Sequence, residues 1–225
     1  TFPVRIDPSY NISSGGTNAN NYENWQSFVR DGNGNFWICY PEYSTNKIVV
    51  ASSTDNGQNW NSETINGYRY CSIAADSSNN IHLAYVSSTG AQYNPFYIKR
   101  TSSGWGTPTN INATNYTANH VGIAVDGSDY IHYVWSQPNS DYKSYGQIHY
   151  RKYTSSWGSV TKLSANSHYY LHPSVSIDSS NNVWVFWTSD MSTGYYKIYY
   201  KKSTRKNIKK NCLKNTTFAP NLYNN

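Results

Sequence analysis

Charged residues are scarce in this 225-residue chain, at 13% of the sequence, and glutamate occurs only at Glu23, Glu42 and Glu63. With 23 Tyr and 8 Trp alongside, that excludes the highly charged, aromatic-poor composition of a disordered chain. Cysteine is limited to Cys39, Cys71 and Cys212, which cannot build a disulfide framework, and neither CxxC nor HExxH occurs to suggest a metal. No apolar run nears the ~18 residues of a membrane span, and no signal-peptide pattern is read within the given residues; their start at Thr1 rather than Met is what removal of a leader would give. Helical periodicity is missing throughout. Basic charge is also scarce over most of the chain. Arg205, Lys206, Lys209, Lys210 and Lys214 lie in the last 21 residues, which hold no acidic side chain, so residues 1 to 204 carry only +1 of the net +6. A nearly neutral body with a basic end speaks against nucleic-acid binding.

What is present is a repeat. SFVRDGNGNFWICY at 27 to 40, SIAADSSNNIHLAY at 72 to 85, GIAVDGSDYIHYVW at 122 to 135 and SVSIDSSNNVWVFW at 174 to 187 each read as strand, Asp-led turn and strand. Asp31, Asp76, Asp126 and Asp178 share one column, spaced by 45, 50 and 52 residues. A third strand follows in each copy, at 47 to 54, 96 to 103, 148 to 156 and 197 to 204, and a Trp-led fourth in three of them (Trp60, Trp105, Trp157). Runs such as FWICY and VWVFW are apolar at successive positions, which requires cover on both sheet faces. Four-stranded antiparallel sheets at this period predict an all-β fold, a β-propeller with blades at about 23–67, 68–113, 114–164 and 165–204. The fourth repeat lacks a last strand, and Phe2 to Asp7 looks like an orphan one. The expectation is therefore that residues 2–7 close the ring at the edge of residues 197 to 204, leaving 205–225 as a basic tail.

The turn Ser53, Thr54, Asp55, Asn56, Gly57, Gln58, Asn59, Trp60 matches S-x-D-x-G-x-x-W, the Asp box, at every defined position. On this motif and the blade-like blocks, the chain resembles the BNR/Asp-box, sialidase-like propeller superfamily over about residues 23 to 204. The resemblance implies that the box lies on the rim opposite a substrate site. Its local chemistry makes Asp55 and Trp60 fold residues, since Asp and Ser bond backbone across a tight turn and Gly supplies positive φ. A sialidase of this family would need three arginines around a carboxylate, a Tyr–Glu nucleophile pair and an Asp acid/base. Only Arg69 of the six arginines is placed for that, and the F/Y-R-I-P motif is missing. No catalytic role is assigned.

Strand order puts the Asp-led turns at one end and the longer aromatic loops at the other, which is the candidate binding face. Six positions before each column aspartate stand Trp25, Tyr70, His120 and His172, with Arg69 beside the second. Rings with polar edges next to a guanidinium suit a sugar, whose C–H face stacks while its hydroxyls need partners. An equal expectation is that these side chains plug the channel and satisfy one another. His82 and His132 read as core residues, and no metal or cofactor is expected. The leading expectation is a secreted or cell-surface module binding a glycan or an extracellular protein without catalysis, with two copies completing a larger ring as a further option. The alternatives are a glycoside hydrolase using Glu42, Asp141 or Asp190, and a structural fragment without a ligand. Sequons at Asn11, Asn112, Asn115 and Asn215 lend slight support to an extracellular location.

Overall fold

The computed structural model describes residues 27–42, 44–88, 90, 92–112, 117–138, 146–164, 169–190, 197–203 and 216–217. They form four antiparallel sheets in chain order. Sheet I contains β1 (Phe28–Arg30), β2 (Phe36–Glu42), β3 (Lys47–Ser53) and β4 (Asn61–Asn66). Sheet II contains β5 (Arg69–Ala75), β6 (Ile81–Ser88), β7 (Tyr93–Thr101) and β8 (Gly104–Trp105), with β9 (Thr109–Asn110) also paired to β7. Sheet III runs through β10 (Asn119–Val125), β11 (Ile131–Pro138), β12 (Gly146–Tyr153) and β13 (Thr161–Lys162). Sheet IV runs through β14 (Tyr169–Ile177), β15 (Val183–Asp190), β16 (Lys197–Lys202) and β17 (Thr216–Thr217).

One expectation is corrected here. The outermost strand of sheet IV is Thr216–Thr217, pairing Tyr199 with Thr217 and Tyr200 with Thr216, so the basic end supplies the edge assigned above to residues 2–7. Residues 2–7 lie outside the described residues.

The column aspartates explain why each hairpin forms. Asp31, Asp76, Asp126 and Asp178 each accept backbone N–H bonds from the residues two and four positions on, at 2.8–3.1 Å. The second carboxylate oxygen reaches the side chain six positions on: Trp37 Nε1 (3.0 Å), His82 Nε2 (3.1 Å), His132 Nε2 (3.1 Å) and Trp184 Nε1 (2.8 Å). One carboxylate thus closes the turn and anchors the second strand, satisfying donors that would be costly to leave unpaired. His82 and His132 are the buried, hydrogen-bonded core residues expected, their Nδ1 atoms meeting Tyr97 and Tyr150 hydroxyls at 2.8 Å. The turn at 53–60 likewise closes on itself. Ser53 Oγ donates to Asp55 at 2.8 Å, Asn59 N donates to Asp55 at 2.9 Å, and Asn56 and Gly57 take φ of 59° and 88°. The Asn59 backbone and side-chain bonds, then Ser53, hold the Asp55 carboxyl at about 2.

The core lies between sheets. One face of each sheet packs on the opposite face of the next, giving three apolar layers: I on II (Cys39, Ile48, Val50 against Ile73, Leu83, Tyr85), II on III (Ala84, Val86, Tyr97 against Ile123, Tyr133, Trp135) and III on IV (Val134, Ile148 against Val175, Val185, Trp187). Burying each such side chain contributes about 1.5–3 kcal/mol, and the layers explain why the strands are apolar on both faces. Cys39 and Cys71 are buried within the first layer as thiols rather than as a disulfide. The sheets approach closely there: a Cβ at Gly67 would lie 2.6 Å from Ile48 and 2.9 Å from Tyr85. Glu63 of β4 grips Arg100 of β7 through Nε (3.0 Å) and Nη2 (2.7 Å) and accepts a bond from Trp105 Nε1.

Candidate functional site

The innermost strands β5, β10 and β14 each break register near their start, between Arg69 and Cys71, Asn119 and Val121, and Leu171 and Ser174. A bulge leaves one or two residues unpaired and redirects their side chains. The residues released are Tyr70, His120 and His172, with φ of 49°, 44° and 53°. Left-handed backbone is unfavourable for a side chain with Cβ, and its recurrence at one column in three sheets marks a position held by its surroundings.

The bulges bring the three rings together. Tyr70 and His120 centroids are 4.3 Å apart at 43°, and His120 and His172 are 4.3 Å apart at 74°. Three of the four predicted column residues therefore meet; Trp25 lies outside the described residues. Arg69 joins them, its guanidinium carbon 5.9 Å from the Tyr70 ring and 4.6 Å from both Tyr68 and Tyr93. Tyr68 and Tyr93 are stacked on each other at 4.6 Å. Neither was singled out from the sequence, because Tyr93 comes from a third strand and meets Tyr68 only in the folded sheet.

Two hydroxyls lie beside the imidazoles. Ser136 Oγ donates its proton to Asn119 O at 2.6 Å, so it receives one from His120 Nδ1 at 3.4 Å. Thr188 Oγ1 lies 3.3 Å from Leu171 O and 3.1 Å from His172 Nδ1, and with its proton on the carbonyl it receives from Nδ1 in the same way. In a neutral imidazole with Nδ1 protonated, Nε2 is an acceptor. Burial, then the neighbouring His172 and Arg69, bring His120 down to about 3, so that ring is neutral at physiological pH. The Nε of Arg69 is buried with no hydrogen-bond partner. The cluster combines imidazole acceptors, a guanidinium donor and aromatic faces.

The other arginines described are occupied by turns and sheet contacts: Arg30 with Gly34 O, Arg100 with Glu63, Arg151 with Gly158 O. Glu42, at the end of β2, accepts a bond from Thr45 Oγ1 at 2.5 Å. Asp141 and the Asp190 side chain lie outside the described residues. Among the described residues no cluster of three His, Cys, Asp or Glu side chains is placed to hold a metal. A depression of about 350 Å³ lined by Gly127, Ile177, Asp178, Ser179, Ser180 and Asn181 lies at the other end, between Asp-led turns. Its polar groups are spent on the turns: Gly127 N donates to Asn181 Oδ1 at 2.7 Å, and Asp178 is bonded as described. It is a groove between turns, and the ring cluster is the stronger candidate site.

No protein-family model matches the sequence, and no curated protein is similar to it in sequence. Solved structures are similar in fold. An α-L-arabinanase of Penicillium chrysogenum complexed with arabinobiose superposes with a TM-score of 0.61 at 14% identity, covering 78% of this chain and 61% of that one. The NanB sialidase of Streptococcus pneumoniae gives 0.55 at 14% over 74% of this chain and 28% of that one. A PL25 ulvan lyase gives 0.57 at 11% over 78% and 51%. The chain spans about three fifths of the arabinanase's length and less of the others. At such identities the likeness shows the fold alone: this is an all-β, β-propeller-like chain, of the architecture also used by these carbohydrate-active enzymes.

Proposed function

We propose that this protein is a carbohydrate-binding, sialidase-like propeller acting at the cell surface or outside the cell, with its ligand seated on Tyr70, His120, His172 and Arg69. The observation that carries the reading is the recurrent bulge, which holds three strained residues so that their rings sit side by side next to a buried, unpartnered guanidinium nitrogen. Strain of this kind persists where a site depends on it. Imidazole Nε2 atoms accept bonds from sugar hydroxyls, Arg69 donates to ring or glycosidic oxygens, and the aromatic faces stack on C–H faces. That its fold relatives include an arabinanase holding arabinobiose, a sialidase and an ulvan lyase supports a carbohydrate over other small ligands.

The reading is of binding without catalysis, because the described carboxylates nearest in type to an acid or nucleophile are committed elsewhere: Glu63 to Arg100 and Trp105, Glu42 to its own turn. A second reading, a glycoside-active enzyme, is favoured by the enzymatic character of those fold relatives. A glycan array followed by titration calorimetry separates them. Binding lost in Arg69→Ala and His120→Ala, with unchanged circular dichroism and no product in a mass-spectrometric digest, supports the first. Product formation supports the second, and the absence of any glycan ligand overturns both.

A further inference from the structure

Two of the chain's three cysteines meet in one place. Cys39 stands eight residues after the aspartate of its hairpin, on sheet I, and Cys71 five residues before the next column aspartate, on sheet II. The same two columns face each other in the other layers. Ala84 and Val121 share the layer between sheets II and III. Val134 and Pro173 adjoin between III and IV, where a Cβ on Gly122 would lie 3.0 Å from a Val134 methyl and 3.3 Å from Pro173 O. In the first layer alone, both columns hold sulfur.

The strands that carry them are close. Cα atoms of β2 and β5 come within 8 Å of one another, and the Cys71 thiol hydrogen-bonds that of Cys39. A disulfide asks for Cα atoms about 4.4–6.8 Å apart and side chains aimed at each other, so little backbone movement separates this pair from a bond. Cys39 is 0% and Cys71 1% exposed. Burial, then the Cys39 thiol beside it, push the Cys71 thiol well above its ordinary range.

We propose that Cys39 and Cys71 are a modification site, oxidised by a small-molecule disulfide to an intrachain disulfide that staples sheet I to sheet II. The chemistry is two thiol–disulfide exchanges. One protein thiolate attacks a sulfur of the small disulfide, giving a mixed disulfide and releasing one small thiol. The second protein thiolate attacks the protein sulfur of that mixed disulfide, closing the Cys39–Cys71 bond and releasing the other small thiol. The two protons and two electrons lost by the protein end on the two released thiols. In the folded protein both thiols are buried and Cys71 is held protonated, so attack is slow there. The exchange belongs to the folding chain, before sheet II closes over sheet I, and the finished bond is shielded from reductants. It adds a covalent tie to the layer already gripped by Glu63 and Arg100.

The test uses the full chain carrying Cys212→Ser, so that the third thiol cannot compete. Reduced protein unfolded in urea is diluted into a buffer of reduced and oxidised glutathione, then alkylated in denaturant, digested and read by mass spectrometry. The peptides holding Cys39 and Cys71 should be recovered joined, the intact mass should fall by two hydrogens, and native circular dichroism should return. The linked form should unfold at a higher urea concentration than the reduced one. The same buffer applied to already folded, reduced protein gives a second reading that does not depend on refolding: the same link should form at least about tenfold more slowly. Cys39→Ala, for which Ala84 in the same column is the precedent, should fold and form no link. Native protein with both cysteines alkylated by either route overturns the proposal. So does a glutathione adduct that never resolves, or a linked product without the native circular dichroism, since that bond would belong to a misfolded chain.

Discussion

The ring of His120 lies 4.3 Å from that of His172, edge to face at 74°, and both residues hold left-handed backbone. Strands ordinarily prefer any side chain to glycine, yet at these two positions the preference is reversed by the bulge. Replacing His172 by Gly should therefore leave the protein more stable than replacing it by Ala, by about 1 kcal/mol. Urea unfolding of the two variants measures this. Equal stabilities, or Ala above Gly, would show that the backbone at the bulge is not strained.

Acid should destabilise the fold before its carboxylates protonate. Burial, with His172 and Arg69, brings His120 to about 3 from an ordinary 6.5, and burial brings His149 to about 4 and lowers His82 and His132. Between those values the unfolded chain binds protons that the folded one does not. Their stabilising contribution is thus complete above pH 6.5 and is lost as pH falls toward about 3. The unfolding midpoint should decline steadily from about pH 7 to about pH 4.5, less steeply in His120→Gln. A midpoint flat across that range would contradict the burial of these rings.

Asp76 carries an unusually full set of partners. Its carboxylate accepts from Ser78 N, Asn80 N, Asn80 Nδ2, His82 Nε2 and Lys99 Nζ. Burial alone would raise its pKa, but the Asn80 and His82 bonds outweigh it and hold the group ionised. Asp76→Ala would strand a buried imidazole and several turn donors, for an expected loss of about 3 kcal/mol. Guanidinium unfolding tests this, and a loss below about 1 kcal/mol would mean water replaces the carboxylate.

Much of this was legible because it is local. An aspartate two and four residues before free N–H groups is a turn whatever surrounds it, so Asp31, Asp76, Asp126 and Asp178 announce four hairpins. The column of Tyr70, His120 and His172 follows from the same alignment. The bulge does not: tyrosine and histidine carry no bias toward left-handed backbone comparable to glycine's. Nor do the stacked Tyr68 and Tyr93 beside Arg69, which meet only across a sheet. Thr216–Thr217 was missed because two residues within a lysine-rich stretch show no alternation, and their pairing rests on the edge that Tyr199 and Tyr200 present.

The Asp-led turns also touch one another: Ser77 N and Oγ donate to Asp129 at 2.8 and 2.5 Å, and Gly127 N to Asn181. Neighbouring hairpins are thereby clasped tip to tip at the end remote from the ring cluster. These bonds pin sheet II to sheet III and sheet III to sheet IV at that end, as adjacent staves are pinned at one rim. Grafting a longer connection between β6 and β7, or between β11 and β12, should change what the molecule meets without shifting a strand.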